Sequence, residues 1–315
     1  MAAITDRADP SLQYTLPFQL TKKIYREVYD KISPQNPDNS VKGKIILITG
    51  GGTGIGAAAA KIWLQAGAEG VVIVGRRKNV LDETADALGR QISGAAKSKV
   101  LTISADISRD EDTDKMYKET IDRFGRLPDV VLANAGWVSP IVLSNEEKVS
   151  TWWSVYEVNV LGLHNTVRSY INSQPDPKNP TGTVINVNSG LAGVTVPGNS
   201  AYGTAKLAAH KYMEFVHTEF PTLRAFTLLP GVVHTALNDQ NAEFLPFAKD
   251  QAEQTGGLAL YLAQERANYL RGSLTSINWD IEEMEAHKKE IEQDKVLQTK
   301  WVTVLPCSGG SGFVD

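Results

Sequence analysis

A rhythm of short apolar runs separated by helical stretches constrains this chain more than any other feature. KIILIT (44–49), GVVIVG (70–75), VLTISAD (100–106), DVVLANAG (129–136), TVINVNS (183–189) and RAFTLLPG (224–231) read as strands. Between them lie a helix at 54–67, a polar helix ending near 91, and helices near 110–124, 150–173 and 200–219. Short apolar strands joined by helices of about 12 or more residues assemble into a parallel sheet covered on both faces. Right-handed crossovers then wind the sheet doubly, giving an α/β fold. At 315 residues and 42% hydrophobic content the chain can fill one large core, and no linker or repeat divides it.

The expected organisation is an N-terminal extension (1–40), one doubly wound domain (41–280) and a C-terminal extension (281–315). Leu20, Ile24, Val28 and Ile32 recur every four residues, which predicts a short amphipathic helix stopped by Pro34 and Pro37. That helix would clamp the body or a neighbouring subunit. The polar stretch 238–257 carries Phe244, Leu245, Pro246 and Phe247 and reads as a lid. A helix (258–268), a strand around LTSIN (274–278) and a solvated acidic–basic helix (281–295) follow, before a loose tail, CSGGSGFVD.

Composition removes several function classes. A net charge of −4 without a basic patch argues against nucleic acid. Five histidines and the single Cys307 cannot assemble a structural zinc site, so no metal is expected. One cysteine also precludes an internal disulfide, which suits a reducing compartment. MAAITDRADP lacks the apolar core of a secretory signal, and no apolar run approaches the roughly 20 residues that span a bilayer. A soluble cytoplasmic protein with no membrane partner is expected.

The first strand runs into Thr49–Gly50–Gly51–Gly52–Thr53–Gly54–Ile55–Gly56, and an alanine-rich helix follows. A pyrophosphate needs backbone N–H groups at a helix N-terminus with no side chains in the way, and glycines 50, 54 and 56 meet that need. A glycine cluster in this strand–turn–helix context marks a Rossmann-type dinucleotide fold. The second strand ends in Gly75–Arg76–Arg77, with no carboxylate to hold ribose hydroxyls. Two guanidiniums there suit a 2′-phosphate, so NADP(H) is favoured over NAD(H).

Tyr202 and Lys206 are one helical turn apart and share a face. A phenol has a pKa near 10 and is a slow acid or base at neutral pH. An ammonium about 5 Å away, at an effective dielectric near 20, would stabilise the phenolate by roughly 3 kcal/mol, or about two pKa units. Ser189, at a strand end, is placed to hold a substrate oxygen. Asn159, in the preceding long helix, is placed to anchor a water or carbonyl in a relay to Lys206.

In their order and spacing these residues resemble the short-chain dehydrogenase/reductase superfamily, in its main single-domain branch, across roughly 41–280. Its TGxxxGxG motif matches Thr49 to Gly56. Its acidic adenine contact matches Asp106, followed by Ile107, and its NNAG motif appears as Ala133–Asn134–Ala135–Gly136. Its catalytic asparagine, serine and YxxxK match Asn159, Ser189, and Tyr202 through Lys206. Its nicotinamide segment matches Pro230, Gly231, Val233 and Thr235. The resemblance implies that Tyr202 is the general acid or base and that Lys206 lowers its pKa and holds the nicotinamide ribose. It further implies that Ser189 positions substrate oxygen and Asn159 maintains the relay. The terminal extensions look like those of fungal reductases of secondary metabolism or carbonyl xenobiotics.

Trp137, Leu191, Val196, Phe244 and Phe247 are candidates for the wall of a pocket holding a bulky, partly aromatic substrate. The expected activity is NADP(H)-dependent hydride transfer between nicotinamide and a small-molecule carbonyl or alcohol, with reduction favoured. The alternatives are a non-redox cyclase, epimerase or dehydratase on this scaffold, or a dinucleotide-binding protein without catalysis. A homodimer or homotetramer through the helices near 150–173 and 200–219 is what the resemblance implies.

Overall fold

β1 (Ile45–Thr49) and β2 (Gly70–Gly75) show why the apolar runs have no polar face. Ile46 and Ile48 of β1, with Val71 and Ile73 of β2, enter one core beside Ala59, Ile62 and Trp63 of α1 (Gly54–Gln65). Their neighbours Ile45, Leu47, Val72 and Val74 enter a second core on the opposite face. There they meet Met116 of α3 (Asp110–Phe124), Val167 of α5 (Gly162–Asn172) and Met213 of α6 (Ser200–Glu219). Alternate side chains serve alternate cores, so every position is apolar. The computed structural model describes residues 3, 4, 8–92, 99–235 and 242–300.

The remaining strands are β3 (Val100–Ser104), β4 (Val130–Ala133), β5 (Thr183–Val187), β6 (Arg224–Leu229) and β7 (Leu274–Ser276). All pair in parallel in the order β3-β2-β1-β4-β5-β6-β7. This is the doubly wound Rossmann-type α/β sheet expected from the sequence. The order reverses between β1 and β4, and open parallel sheets bind ligands beyond the carboxyl ends of the strands at such a switch point. α2 (Lys78–Gln91) follows β2. α4 (Val149–Tyr156) runs through a π-helical turn, Glu157–Leu161, into α5, so the long helix expected near 150–173 carries an internal widening.

The N-terminal extension departs from expectation: residues 20–32 do not form an amphipathic helix. Three-residue 3₁₀ turns occur at Pro10–Leu12, Leu16–Phe18, Asp30–Ile32 and Pro37–Asn39 instead. Ile24 exchanges both backbone bonds with Ile4, and the N–H of Tyr25 donates to the carbonyl of Asn278. Leu20 is 45% exposed whereas Ile24 is 2%, so the fourfold spacing does not define a face. β-Branched Thr21, Ile24 and Val28 oppose a helix, and docking on the body supplies the backbone partners instead.

Further along, the helix expected at 258–268 begins earlier, as α7 (Glu253–Leu262), and ends in a 3₁₀ turn, Glu265–Leu270. Gly256 and Gly257 look like helix breakers, but they let α7 lie against α1 and Ile32. A Cβ on Gly256 would sit 2.8 Å from the Cα of Ala59. The expected helix 281–295 is two short ones, α8 (Ile281–Ala286) and α9 (Lys288–Asp294), whose Ile281, Met284 and Ile291 are buried. Residues 238–241 of the expected lid and the tail with Cys307 lie outside the described residues. Among the described residues no helix is long and apolar enough to cross a membrane.

Candidate active site

The glycine loop is shaped by close backbone approach. Thr49, 1% exposed, accepts on its Oγ1 from the N–H groups of Asn134 and Ala135, both at 3.0 Å. Asn134 returns its Nδ2 to the carbonyls of Thr49 (3.0 Å) and Gly50 (3.2 Å). These bonds lock the end of β1 to the end of β4. Gly50 holds φ at +65°, and a Cβ on Gly56 would lie 2.3 Å from the Gly50 carbonyl oxygen. No side chain caps the start of α1, so its first N–H groups are left to an anion.

A cavity of 590 Å³ runs along the carboxyl ends of the strands, and Gly50, Gly52, Thr53, Gly54 and Ile55 line it. Thr49 and Gly56 stand behind this wall as its support. Arg76, Arg77, Asp106 and Ile107 line one end. Neither guanidinium meets a carboxylate among the described residues, and both are exposed. Asp106 uses Oδ1 to accept from the Ser108 N–H and hydroxyl. Asn134, Ala135, Gly136, Pro230, Gly231, Val233 and Thr235 also face the cavity. Thr235 closes on the loop: a Cβ on Gly54 would be 3.1 Å from its Cγ2. An uncapped helix start, glycines that clear its approach and two unpaired guanidiniums together fit an elongated phosphate-bearing dinucleotide.

Deeper in, the π turn holds Asn159 (3% exposed) against the strand ends. Its Nδ2 donates to the carbonyls of Trp137 (2.6 Å) and Val155 (2.9 Å), while its buried Oδ1 has no partner among the described residues. A Cβ on Gly136 would sit 3.1 Å from that Oδ1 and 3.6 Å from Lys206 Nζ, so Asn159 and Lys206 converge over Gly136. Lys206 donates to the Val187 carbonyl at 3.0 Å and lies 5.5 Å from the centroid of the Tyr202 ring. Asn188 steadies both neighbours: its Nδ2 donates to the Lys206 carbonyl (2.9 Å) and its Oδ1 accepts from the Ser189 N–H (2.8 Å). The sequence reading passed over Asn188, although its place beside Ser189 was a signal.

The electrostatics reverse one expectation. Burial pushes the Tyr202 phenol up to about 12, even though a hydrogen bond from Ser189 pulls it down. Burial likewise lowers Lys206 to about 8. Removing water costs the phenolate more than the Ser189 hydrogen bond returns. The protein alone therefore presents Tyr202 as a protonated phenol, ready to donate.

At the other end of the cavity Trp137, Leu191 and Phe244 stand on the wall as expected candidates. Val196 does not; its carbonyl accepts from Asn199, and Val194 lines the cavity in its place. Phe247 is also off the wall and packs edge-on against Tyr14, with centroids 4.8 Å apart. Tyr14, Phe18 and Trp279 line the cavity and were missed, since they lie far from every motif. Arg26 and Asp250 were missed as well. Asp250 accepts from the Val232 N–H (2.6 Å) and Asn278 (2.9 Å), and Arg26 Nε pairs with it at 3.4 Å. Gly231, with φ +70°, makes room, since a Cβ there would be 2.4 Å from Asp250 Oδ2. The N-terminal extension thus anchors the Pro230–Gly231 turn through a buried ion pair.

Residues 44–245 match the model of the short chain dehydrogenase family. Short chain dehydrogenases mpl6 of Monascus purpureus and citE of Monascus ruber are each 32% identical to this chain over 267 residues, covering 82% of it and 89% of their own length. A crystal structure of a short-chain type dehydrogenase/reductase from Mycobacterium marinum superposes with a TM-score of 0.69 at 26% identity, over 76% of this chain and 95% of its own. A 3-ketoacyl-(acyl-carrier-protein) reductase from Brucella melitensis, complexed with NADH, gives 0.66 at 25% identity, over 75% and 97%.

Proposed function

The chain belongs to the short chain dehydrogenase family, and on that premise we propose that it is an NADPH-dependent reductase of a small-molecule ketone or aldehyde. The observation that carries this reading is the half-buried Tyr202 phenol, hydrogen-bonded to Ser189 and one helical turn from Lys206, at the inner end of a cradle that fits a dinucleotide. The reduced cofactor, when bound, supplies the hydride to the carbonyl carbon.

Ser189 holds the carbonyl oxygen through its hydroxyl. Tyr202 transfers its proton to that oxygen as negative charge develops there, leaving a phenolate. Lys206, held by the Val187 carbonyl, opposes that charge and returns a proton. Asn159 Oδ1, without a partner among the described residues, is placed to hold a water that passes the replacement proton from solvent. The bare guanidiniums of Arg76 and Arg77, with no carboxylate at the end of β2, support NADP(H) over NAD(H). Val149, Trp153 and Leu161 near α4, and Leu207 and Phe215 of α6, leave apolar surface exposed. They support association through these helices as a homodimer or homotetramer, to be checked by light scattering of the purified protein.

The test is to follow the near-ultraviolet absorbance of NADPH and of NADH with a panel of ketones, quinones and aldehydes. Substrate-dependent loss of NADPH is expected. A strong preference for NADH contradicts the role given to the arginines, and product formed without cofactor consumption contradicts the redox reading.

A further inference from the structure

The family match begins at residue 44, yet Tyr14, Phe18 and Ile24 stand on the cavity wall. The segment that brings them there is firmly tied. Arg26 donates to the Ser11 carbonyl at 2.8 Å and pairs with Asp250. Asn278 donates to the Tyr25 carbonyl at 2.9 Å, and Trp279 Nε1 donates to the Phe18 carbonyl at 2.8 Å.

The Phe18 ring lies on Gly190, the residue directly after Ser189. A Cβ on Gly190 would sit 2.6 Å from Phe18 Cε2, and one on Gly193 would sit 3.3 Å from Cε1. The ring thus takes the place that a side chain after Ser189 would fill. Beyond it lies a second cavity of 340 Å³, with Ala192, Leu274, Val296 and Leu297 among its described walls. Phe18, Ser189, Gly190, Leu229 and Trp279 border both cavities.

We propose that Phe18 is a specificity-determining residue whose ring partitions the reaction chamber from the second cavity, and that the chamber takes neutral aryl ketones. This deepens the carbonyl-reduction reading and rests on it. Arg76, Arg77, Asp106 and Lys206 are the charged side chains among the described residues of the main cavity; the first three belong to the ends of β2 and β3, and Lys206 sits by Tyr202. The substrate end offers the rings of Tyr14, Phe18, Trp137, Phe244 and Trp279, with Gln19 and Asn199 as polar contacts. Flat rings stack favourably on such walls, whereas a charged substrate would be desolvated there without a counter-charge.

The probes are n-alkyl phenyl ketones from acetophenone to octanophenone, with benzoate as a charged control. Dissociation constants are measured by calorimetry on the full chain saturated with NADP⁺, alongside kcat/KM with NADPH. In the wild type, affinity rises with chain length and then falls when the tail meets Phe18. Phe18→Ala opens the partition and improves octanophenone relative to acetophenone by about tenfold or more, the gain from burying two or more methylenes. Ala192→Phe, which fills only the second cavity, returns that ratio toward wild type when added to Phe18→Ala. Phe18→Leu, a milder change that keeps an apolar plug, gives an intermediate ratio even if the alanine variant fails to fold. The proposal is overturned if the ratio stays fixed in both variants, if no ketone binds, or if benzoate binds as tightly as acetophenone. Binding that follows the predicted order without any turnover would refute the reductase reading while leaving the partition standing.

Discussion

The nucleotide end and the substrate end of the cavity are built from different materials. At the nucleotide end the contacts are mostly to main-chain groups: the Thr49 hydroxyl against the N–H groups of Asn134 and Ala135, Gly56 against the Gly50 carbonyl, and the uncapped start of α1. Each is imposed by a strand end and the turn that follows it. At the substrate end the wall is made of side chains from the N-terminal extension, from Trp137 and Leu191, from Phe244 and from Trp279. They meet only because the extension is pinned to the body. One end is shaped chiefly by main-chain groups that every residue carries, with two arginines added; the other is shaped by side chains that vary.

Arg26→Met is the harshest trial of the contrast, because Arg26 ties the N-terminal extension to the Gly231 turn through Asp250. Removing one partner of a buried ion pair typically costs about 3–5 kcal/mol, and here it strands Asp250 beside the Val232 N–H. Urea denaturation should show that loss, and cofactor affinity should weaken with it, because Asp250 holds the Gly231 turn. Loss of stability alone would mean that the extension serves only the substrate end.

Gly56→Ala tests the backbone end on its own. Its methyl would press on the Gly50 carbonyl, at a cost of about 1–3 kcal/mol as for other overpacked sites. Calorimetry should record weaker cofactor binding, with ketone specificity unaltered in what activity remains. Replacing Arg76 and Arg77 together by serine should raise the NADPH dissociation constant roughly ten- to a hundredfold, the worth of one or two charge-assisted hydrogen bonds, and leave NADH unchanged.

The smallest effect is one of pH. Lys206, lowered to about 8 by burial, is protonated below that value and neutral above it, whereas Tyr202, raised to about 12, stays a phenol throughout. kcat/KM for the cofactor should therefore be level near pH 7 and decline as pH rises through about 8. A profile flat to pH 10 would remove the lysine from the account.

The strands, their order of appearance and the cofactor loop were legible because each is written within a few neighbouring residues. Ile45 to Ile48 must be apolar throughout to serve two cores, and Gly50 and Gly56 must lack side chains to let backbones touch. The N-terminal extension misled for the opposite reason. Leu20, Ile24, Val28 and Ile32 carry helical spacing, but Ile24 bonds to Ile4 and its neighbour Tyr25 to Asn278, partners that local pattern does not reveal. Phe18 and Trp279 were invisible in the same way: their importance lies in a contact across 261 residues of chain. The direction of the Tyr202 shift was misjudged because a charge one turn away is easy to see in sequence, while the loss of water around a phenol is not.

Tyr202→Phe keeps the ring and removes the proton, so it tests the central claim most directly. Ketone reduction by the variant should fall by roughly 10²–10⁴-fold, the usual worth of a positioned acid, while the NADPH dissociation constant measured on the same preparation holds within about twofold. A variant that binds NADPH normally and reduces ketone at the wild-type rate would contradict it.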